Sequence, residues 1–363
     1  VPGFLRPFVR FLFYFVLSFF QTAASPGDAL TRVRRVDPVP APPCHSLWGA
    51  GKKVRSGAWG CFTTFRFSLL AGAGTIEAEN SKEGGEMAKL LTPEQIERTE
   101  RDGCVFPVRI MDTDTAATYR ATYEDVEARK GKDVPEILSV KPHLLFRWLY
   151  NLGTTPTLLD AIEDLIGPNI MMPTCAIWAK QAHDPRFVTW HQDSAYFGYE
   201  PMDVWGAWIA LTDSHADNGC LRYLPGSHAN PEMAHEETWD EMNMLSRGQR
   251  ITDRFDDSTA IDVDLEPGEC TIHHFRLAHS SEPNLSDRRR TGILFVYCAP
   301  SVRPTIDLNT ALLVRGEDRH GHWKSDPFPE RDLDPANVAY YNNFWASYVD
   351  PETRSEAERD AAT

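Results

Sequence analysis

Up to about residue 167 the apolar positions of the chain recur every three or four residues; beyond it they gather into short, nearly continuous runs. The first pattern is that of a helix with one buried face. It predicts helices in "TPEQIERTERDG" (92–103), "DTAATYRATYEDVEARKG" (114–131) and "HLLFRWLYNLGTTPTLLDAIEDLIG" (143–167), each closed by a glycine. In the first, Thr92 suits the N-cap, Pro93 the first turn and Gln95 the reciprocal position of a capping box, with Gly103 ending the helix. From residue 169 the runs "NIMMPTCAIWAK", "DVWGAWIALTD", "GCLRYLPGSH", "GECTIHHF" and "TGILFVYCAP" are β-branched or aromatic and are separated by Asp-Asn-Gly, Pro-Gly and Asn/Ser/Asp turns. These predict strands. Helices first and short strands afterwards argue for a mainly β fold with flanking helices, a sandwich or barrel, and against an alternating βαβ sheet. No phosphate-cradling glycine loop is present, which argues against a nucleotide enzyme.

The first 86 residues do not share this texture. Residues 11–20 are apolar but for one serine, flanked by basic residues and a small-residue exit, the form of a secretory signal peptide over residues 1–24. The rest of that segment is rich in Pro, Gly and basic residues without a period, so it is expected to be disordered or foreign to the fold. The first Met is Met87, shortly before the capped helix. The expected organisation is therefore an extension over 1–86, one functional body over 87–345 and an acidic flexible tail over 346–363. Cytoplasmic residence is expected, or secretion if residues 1–24 act as a signal; the body offers no membrane span.

Charge sharpens the contrast. The net charge is −15; residues 1–86 hold 10 Lys/Arg against 6 Asp/Glu, and the remainder holds 27 against 46. So acidic a body is expected to repel nucleic acid and anionic membrane rather than bind them. The seven cysteines (44, 61, 104, 175, 220, 270, 298) form no C-x-x-C pair, and those of the body are expected to be buried, reduced thiols.

The chemistry is expected at "TWHQDSAYFGYEP" (189–201). His191 and Asp193, two apart on a strand, leave the same face. Such a pair is a surface ion pair, part of a catalytic relay or two thirds of a metal site. Of the other histidines, His143, His183, His320 and His322 are expected at the surface and His215 on a loop. His228 is expected to brace a strand, and His235 has no evident role. In "PGECTIHHFRLAHSSEPNLSDRRRTGILFVY" (267–297), His273, His274 and His279 fall where a strand gives way to a turn. His279 suits a ligand at a barrel mouth; for His274, core lining or an outer hydrogen bond to a ligand is at least as well supported as ligation itself. Two histidines and one carboxylate form the facial triad of non-haem Fe(II) oxygenases, leaving positions for an oxo acid and dioxygen. A zinc hydrolase would show three histidines or a second acid. Arg290, at the head of the strand "TGILFVY", is placed to grip a distal carboxylate, whereas Arg288 and Arg289 fit a basic surface turn. The aromatics Trp190, Tyr196, Phe197, Tyr199 and Trp205 either line a pocket or fill the core.

Over most of residues 90–325 the body resembles the phytanoyl-CoA dioxygenase family of Fe(II)/2-oxoglutarate oxygenases. "WHQD" is similar to its first metal motif, "AWIALTDSHADNGCLRYLPGSH" to its strand–turn–strand segment, and "PGECTIHHFRLAHSSEPNLSDRRR" to its second metal motif. The resemblance implies a double-stranded β-helix (jelly-roll, cupin-like) core and Fe(II) held by His191, Asp193 and His279. It puts Arg290 on the 2-oxoglutarate carboxylate and Gln192, Trp208 and Ser281 around the cosubstrate. Lys180 matches a frequent lysine of the family. "NMLSRGQRI" and "LLVRGEDRHGHW" are similar to a subgroup of it. The implied reaction is hydroxylation of a small metabolite or lipid-like substrate, with O2 consumed and succinate and CO2 released. A halogenating branch has a small residue where Asp193 stands. One departure is "HSS" (279–281) in place of the family's His-Gly-Ser, so Ser280 is expected to restrict the backbone there. The competing readings are a cupin-type metal dioxygenase that does not use 2-oxoglutarate, which Arg290 and Trp208 oppose, and a catalytically retired binding protein, which the intact ligand set opposes.

Overall fold

The computed structural model describes residues 88–349 except 135–137, 139 and 307–308. The expected extension over 1–86, with its signal-like start, lies outside the described residues, as does the expected tail beyond Val349. In chain order the elements are α1 (Pro93–Asp102), β1 (Cys104–Arg109), α2 (Thr113–Ala128), α3 (Arg147–Gly153), α4 (Pro156–Ile166), β2 (Ile170–Lys180), β3 (Val188–His191), β4 (Tyr199–Glu200), β5 (Val204–Ala210) and β6 (Leu221–Tyr223). They continue with β7 (His235–Glu237), β8 (Gln249–Ile251), β9 (Ile261–Asp262), β10 (Glu269–His274), β11 (His279–Ser281), β12 (Arg290–Cys298), β13 (Arg303–Pro304), β14 (Thr310–Arg315), β15 (Lys324–Ser325) and α5 (Pro335–Val349).

α1 starts as its sequence dictates: the Thr92 side chain accepts from the Gln95 amide, the Gln95 side chain accepts from the Thr92 amide, and Gly103 ends the helix at φ 79°. The long helix expected over 143–167 is divided. His143 sits in a 3-10 turn (Pro142–Leu144), and α3 and α4 part at Thr154–Thr155, whose hydroxyls return to the carbonyls of Tyr150 and Leu152 before Pro156 opens α4. α5 was not anticipated; it runs to Val349 and so takes in the first four residues of the segment expected as a tail. β1 was not anticipated either. It pairs with β10 at the sheet edge, and its ladder is irregular between Val105 and Val108, where Pro107 has no N–H to offer.

The large sheet has the order β1-β10-β5-β12-β2-β14-β15 and the small one the order β3-β11-β6-β9. Alternation sorts the large sheet into two faces. Cys270, Ile272, Ala207, Ile209, Ile293, Phe295, Tyr297 and Cys175 pack with Leu149, Leu152, Leu158 and Ile162 of α3 and α4 in the main core. Each such fully buried Leu, Ile or Phe contributes roughly 1.5–3 kcal/mol. On the opposite face Trp208, Ala210 and Leu294 meet Leu221 and Tyr223 of the small sheet. Two facing antiparallel sheets with helices on one outer face make a jelly-roll, as expected.

Away from that interior, Lys141 and Asp326 form a buried ion pair at 2.6 Å, completed by Thr310 and by the Tyr340 hydroxyl. Asp326→Ala is expected to lower stability by about 3–5 kcal/mol, because it strands the buried ammonium. A urea midpoint unchanged from wild type would refute this. All five described cysteines are free and buried, as expected, and burial pushes the Cys104 and Cys220 thiols up to about 12. No helix among the described residues is long and apolar enough to cross a membrane.

Candidate metal and cosubstrate site

His191 ends β3 and His279 begins β11, and the two are direct partners in the antiparallel ladder. Asp193 follows β3 in a 3-10 turn (Asp193–Ala195), which folds its carboxylate back towards both rings. The imidazoles lie 4.1 Å apart between centroids. Asp193 Oδ1 is 3.4 Å from His191 Nε2 and its Oδ2 4.0 Å from His279 Nε2. One ligand atom from each of the three residues lies within 4.8 Å of the others, a spacing that suits a shared metal ion.

The surroundings set the donor atoms. His191 Nδ1 lies 2.9 Å from the Thr189 carbonyl and His279 Nδ1 2.9 Å from the Leu277 carbonyl. A carbonyl only accepts, so both Nδ1 atoms carry protons, which leaves the two Nε2 atoms, on the carboxylate side, as those a metal would take. Burial pushes the His279 ring down to about 3, which keeps it neutral. Burial would raise the Asp193 carboxyl, but the His279, His191 and His273 rings beside it hold it below the usual carboxylate range. Asp193 Oδ2 is buried with no hydrogen-bond partner. Two imidazoles with Nε2 turned inward and a carboxylate held in its ionised form beside them match the donor set of a divalent iron site.

Arg290 lines the same cavity as the triad. It is 2 % exposed, and its Nε and Nη1 have no hydrogen-bond partner. Burial pulls its guanidinium down to about 10. Its guanidinium carbon sits 5.1 Å from the centre of the Trp208 ring, which lies against Gly292, where any Cβ would strike the indole. An unpaired buried cation is costly, so this part of the cavity is built for an anion. Arg288 and Arg289 instead pair with Asp217 and Glu127 on the outer surface, as expected.

Of the other expected residues, Trp208 and Ser281 line the cavity together with Trp178, Leu221, Leu245 and Leu294. Gln192 does not line it: its Nε2 donates to the Arg276 carbonyl and its Oε1 accepts from the Met233 amide. Lys180 stands opposite Arg290 in the ladder but turns to Ser281, whose Oγ it holds at 2.7 Å, and to the Glu282 carbonyl. Burial lowers its ammonium to about 7. Ser280 lies in β11 without a positive φ, so the expected restriction costs nothing in the backbone.

His143 is a correction: it is fully buried, with neither ring nitrogen bonded, and burial holds it near 3. His183, His320 and His322 are exposed as expected, and His228 braces the end of α1 through the Glu100 carbonyl. His235, for which no role was evident, accepts from the Gln192 amide beside the metal ligands. Tyr199 and Trp205 are core residues rather than cavity lining, and Trp190, Tyr196 and Phe197 do not line the cavity either.

Residues 90–292 match the family model described as phytanoyl-CoA dioxygenase (PhyH). The chain belongs to that family, whose members are Fe(II)/2-oxoglutarate-dependent oxygenases. Among curated proteins it is 29% identical over 233 residues to a probable alpha-ketoglutarate-dependent hypophosphite dioxygenase of Stutzerimonas stutzeri, covering 62% of this chain and 78% of that one. It is 30% identical over 178 residues to the peroxisomal phytanoyl-CoA dioxygenase of Bos taurus, covering 47% of this chain and 52% of that one, so it spans about half the length of that relative. Among solved structures it is similar to the non-heme monooxygenase ThoJ in its apo form, at TM-score 0.62 and 32% identity, over 69% of this chain and 95% of that one.

Proposed function

We propose that the chain hydroxylates a small metabolite or lipid-like molecule, with 2-oxoglutarate and O2 consumed and succinate and CO2 released. The observation that carries this reading is Arg290, a buried guanidinium that forms no ion pair among the described residues and lines the same cavity as the triad. Arg290 would pair with one carboxylate of a dicarboxylate held in the same cavity as a metal on His191, Asp193 and His279. When bound, iron with the keto acid would supply dioxygen activation, with one oxygen atom ending in succinate and the other in the substrate. The chain's own residues hold and orient. The three ligands fix the metal, Arg290 and Trp208 fix the distal carboxylate, Lys180 steadies Ser281, and Trp178, Leu221 and Leu294 keep water away. An acidic body favours an uncharged or lipid-like substrate over a polyanionic CoA ester.

Asp193 occupies the position a halide would need, so oxygen insertion is the expected outcome. Incubation with Fe(II), 2-oxoglutarate, excess chloride or bromide and a substrate panel should yield succinate and hydroxylated product. Mass spectrometry should detect no halogenated one. A halogenated product at appreciable yield, or no succinate with any candidate, would refute the reading.

A further inference from the structure

We propose that His273 is a positioning residue of the metal site. It donates from Nε2 to the second oxygen of Asp193, in a tautomer set by Tyr223, and so limits Asp193 to one oxygen for the metal. The proposal rests on the reading of His191, Asp193 and His279 as metal ligands.

Two buried polar atoms without partners face one another here. His273 Nε2 and Asp193 Oδ2 both lack a hydrogen bond and lie 3.8 Å apart. That is beyond hydrogen-bond length, yet each is left as the other's remaining partner, in an interior where an unsatisfied group costs about 1–3 kcal/mol. His273 is 1 % exposed, on the cavity face of β10, and it lines the cavity with the triad. Space for its ring comes from Gly206 on β5, where an added Cβ would lie 2.9 Å from His273 Cε1 and 3.0 Å from Nε2.

The hydrogen bonds at Tyr223 carry the proposed tautomer, with Thr271 giving its proton to the nearer Tyr223 oxygen rather than to the Val105 carbonyl at 3.4 Å. The Thr271 hydroxyl donates to the Tyr223 oxygen at 3.1 Å, and that oxygen lies 3.0 Å from His273 Nδ1. With its lone pair engaged by Thr271, the Tyr223 hydroxyl donates its one proton to Nδ1. A ring that accepts at Nδ1 carries its proton on Nε2, which here is aimed at Asp193. His191 and His279 have the reverse arrangement, with Nδ1 protonated by the pull of a backbone carbonyl and Nε2 free. The four groups therefore divide into two ligand histidines, a ligand carboxylate and a donor histidine. His273 has no lone pair to give a metal. A carboxylate with one oxygen so engaged takes up one metal position rather than two, leaving the others for the cosubstrate and dioxygen. Outer partners that orient ligands in this way typically contribute 10–100-fold to metal affinity.

The test is metal binding by the full chain, with no turnover involved. Co(II) is titrated into wild type, His273→Phe, His273→Gln, Tyr223→Phe, Gly206→Ala and His279→Ala, following affinity and the visible ligand-field band. His273→Phe should bind about 10–100-fold more weakly with an altered band. His273→Gln, which restores an N–H donor, should recover most of both, and Tyr223→Phe and Gly206→Ala should fall between. Unchanged affinity and band in His273→Phe, even with a lower melting temperature, would overturn the proposal by reducing His273 to packing. A loss as large as that of His279→Ala would overturn it by making His273 a ligand. Failure of wild type itself to bind Co(II) would instead remove the metal-site reading on which the proposal stands.

Discussion

Arg290→Leu should weaken 2-oxoglutarate binding by roughly 30-fold to a few thousand-fold and leave metal binding intact. Truncating one partner of a buried, hydrogen-bonded charge pair costs about 2–5 kcal/mol, and about 1.4 kcal/mol corresponds to each factor of ten in affinity. The guanidinium is buried and touches none of the three proposed metal ligands, so only the anion should feel its loss. Arg288→Leu and Arg289→Leu act on surface ion pairs and should change the affinity by less than about threefold. The stability of the ligand-free protein should move the other way. Arg290 is a buried charge that forms no ion pair among the described residues, so leucine in its place should raise the melting temperature of the empty enzyme while abolishing its response to 2-oxoglutarate. Anaerobic titration of the Fe(II) protein, read in the metal-to-ligand absorption band, together with thermal melts, checks both halves. Equal 2-oxoglutarate affinity in wild type and Arg290→Leu would place the anchor elsewhere.

His279→Ala should abolish turnover and reduce metal affinity by more than the 10–100-fold typical of an outer partner, because it deletes an Nε2 aimed at the carboxylate. His274→Ala should leave the metal affinity near that of wild type and cost about 0.5–3 kcal/mol of stability. The difference follows from alternation. His274 packs edge-on against Trp205, its ring centroid 5.1 Å away, on the side of β10 that faces away from the cavity. Equilibrium dialysis against Fe(II) under nitrogen separates the two variants, and a metal-free His274→Ala protein would reverse the assignment.

The parts of this protein that were legible in sequence are those where local chemistry decides. The capping box of α1 names its own start, and the β-branched and aromatic runs became β2, β5, β6, β10 and β12. The triad could be anticipated because a histidine and a carboxylate two apart stay within reach of one metal, although Asp193 arrives there from a 3-10 turn after β3 and not from the shared strand face that was expected; Arg290 was separable from its two neighbours by its place at the head of a buried strand. Other features depend on register. In the doublet His273–His274 one ring must face the cavity and one the helix side; the sequence left His274 between core lining and an outer hydrogen bond and gave His273 no separate role. The pairing of Thr271 with Trp208 and of His273 with Gly206 puts His273 on the cavity side. Its partner Tyr223 carried only the faint signal of a tyrosine in an apolar strand, whose hydroxyl needs a partner. Long-range geometry also hid the fates of Gln192 and Lys180, since each spends its polar atoms on a segment remote in sequence. His143 looked solvent-facing because nothing in "KPHLLF" reveals that the turn is buried beneath its neighbours.

The placement of the cavity between the sheets has a mechanical side. His191 and His279 belong to the small sheet and Arg290 to the large one, and Tyr223–His273 and Ser281–Lys180 are hydrogen bonds from one sheet to the other. Metal and keto acid together would bridge the same gap and act as a clasp. Ligand binding of this kind stabilises the folded form by mass action. The clasp also works in reverse: any loosening of the sandwich separates the anion's anchor from the metal's. The two halves of the site are then competent only together, and a partly opened molecule is left without the means to start the reaction.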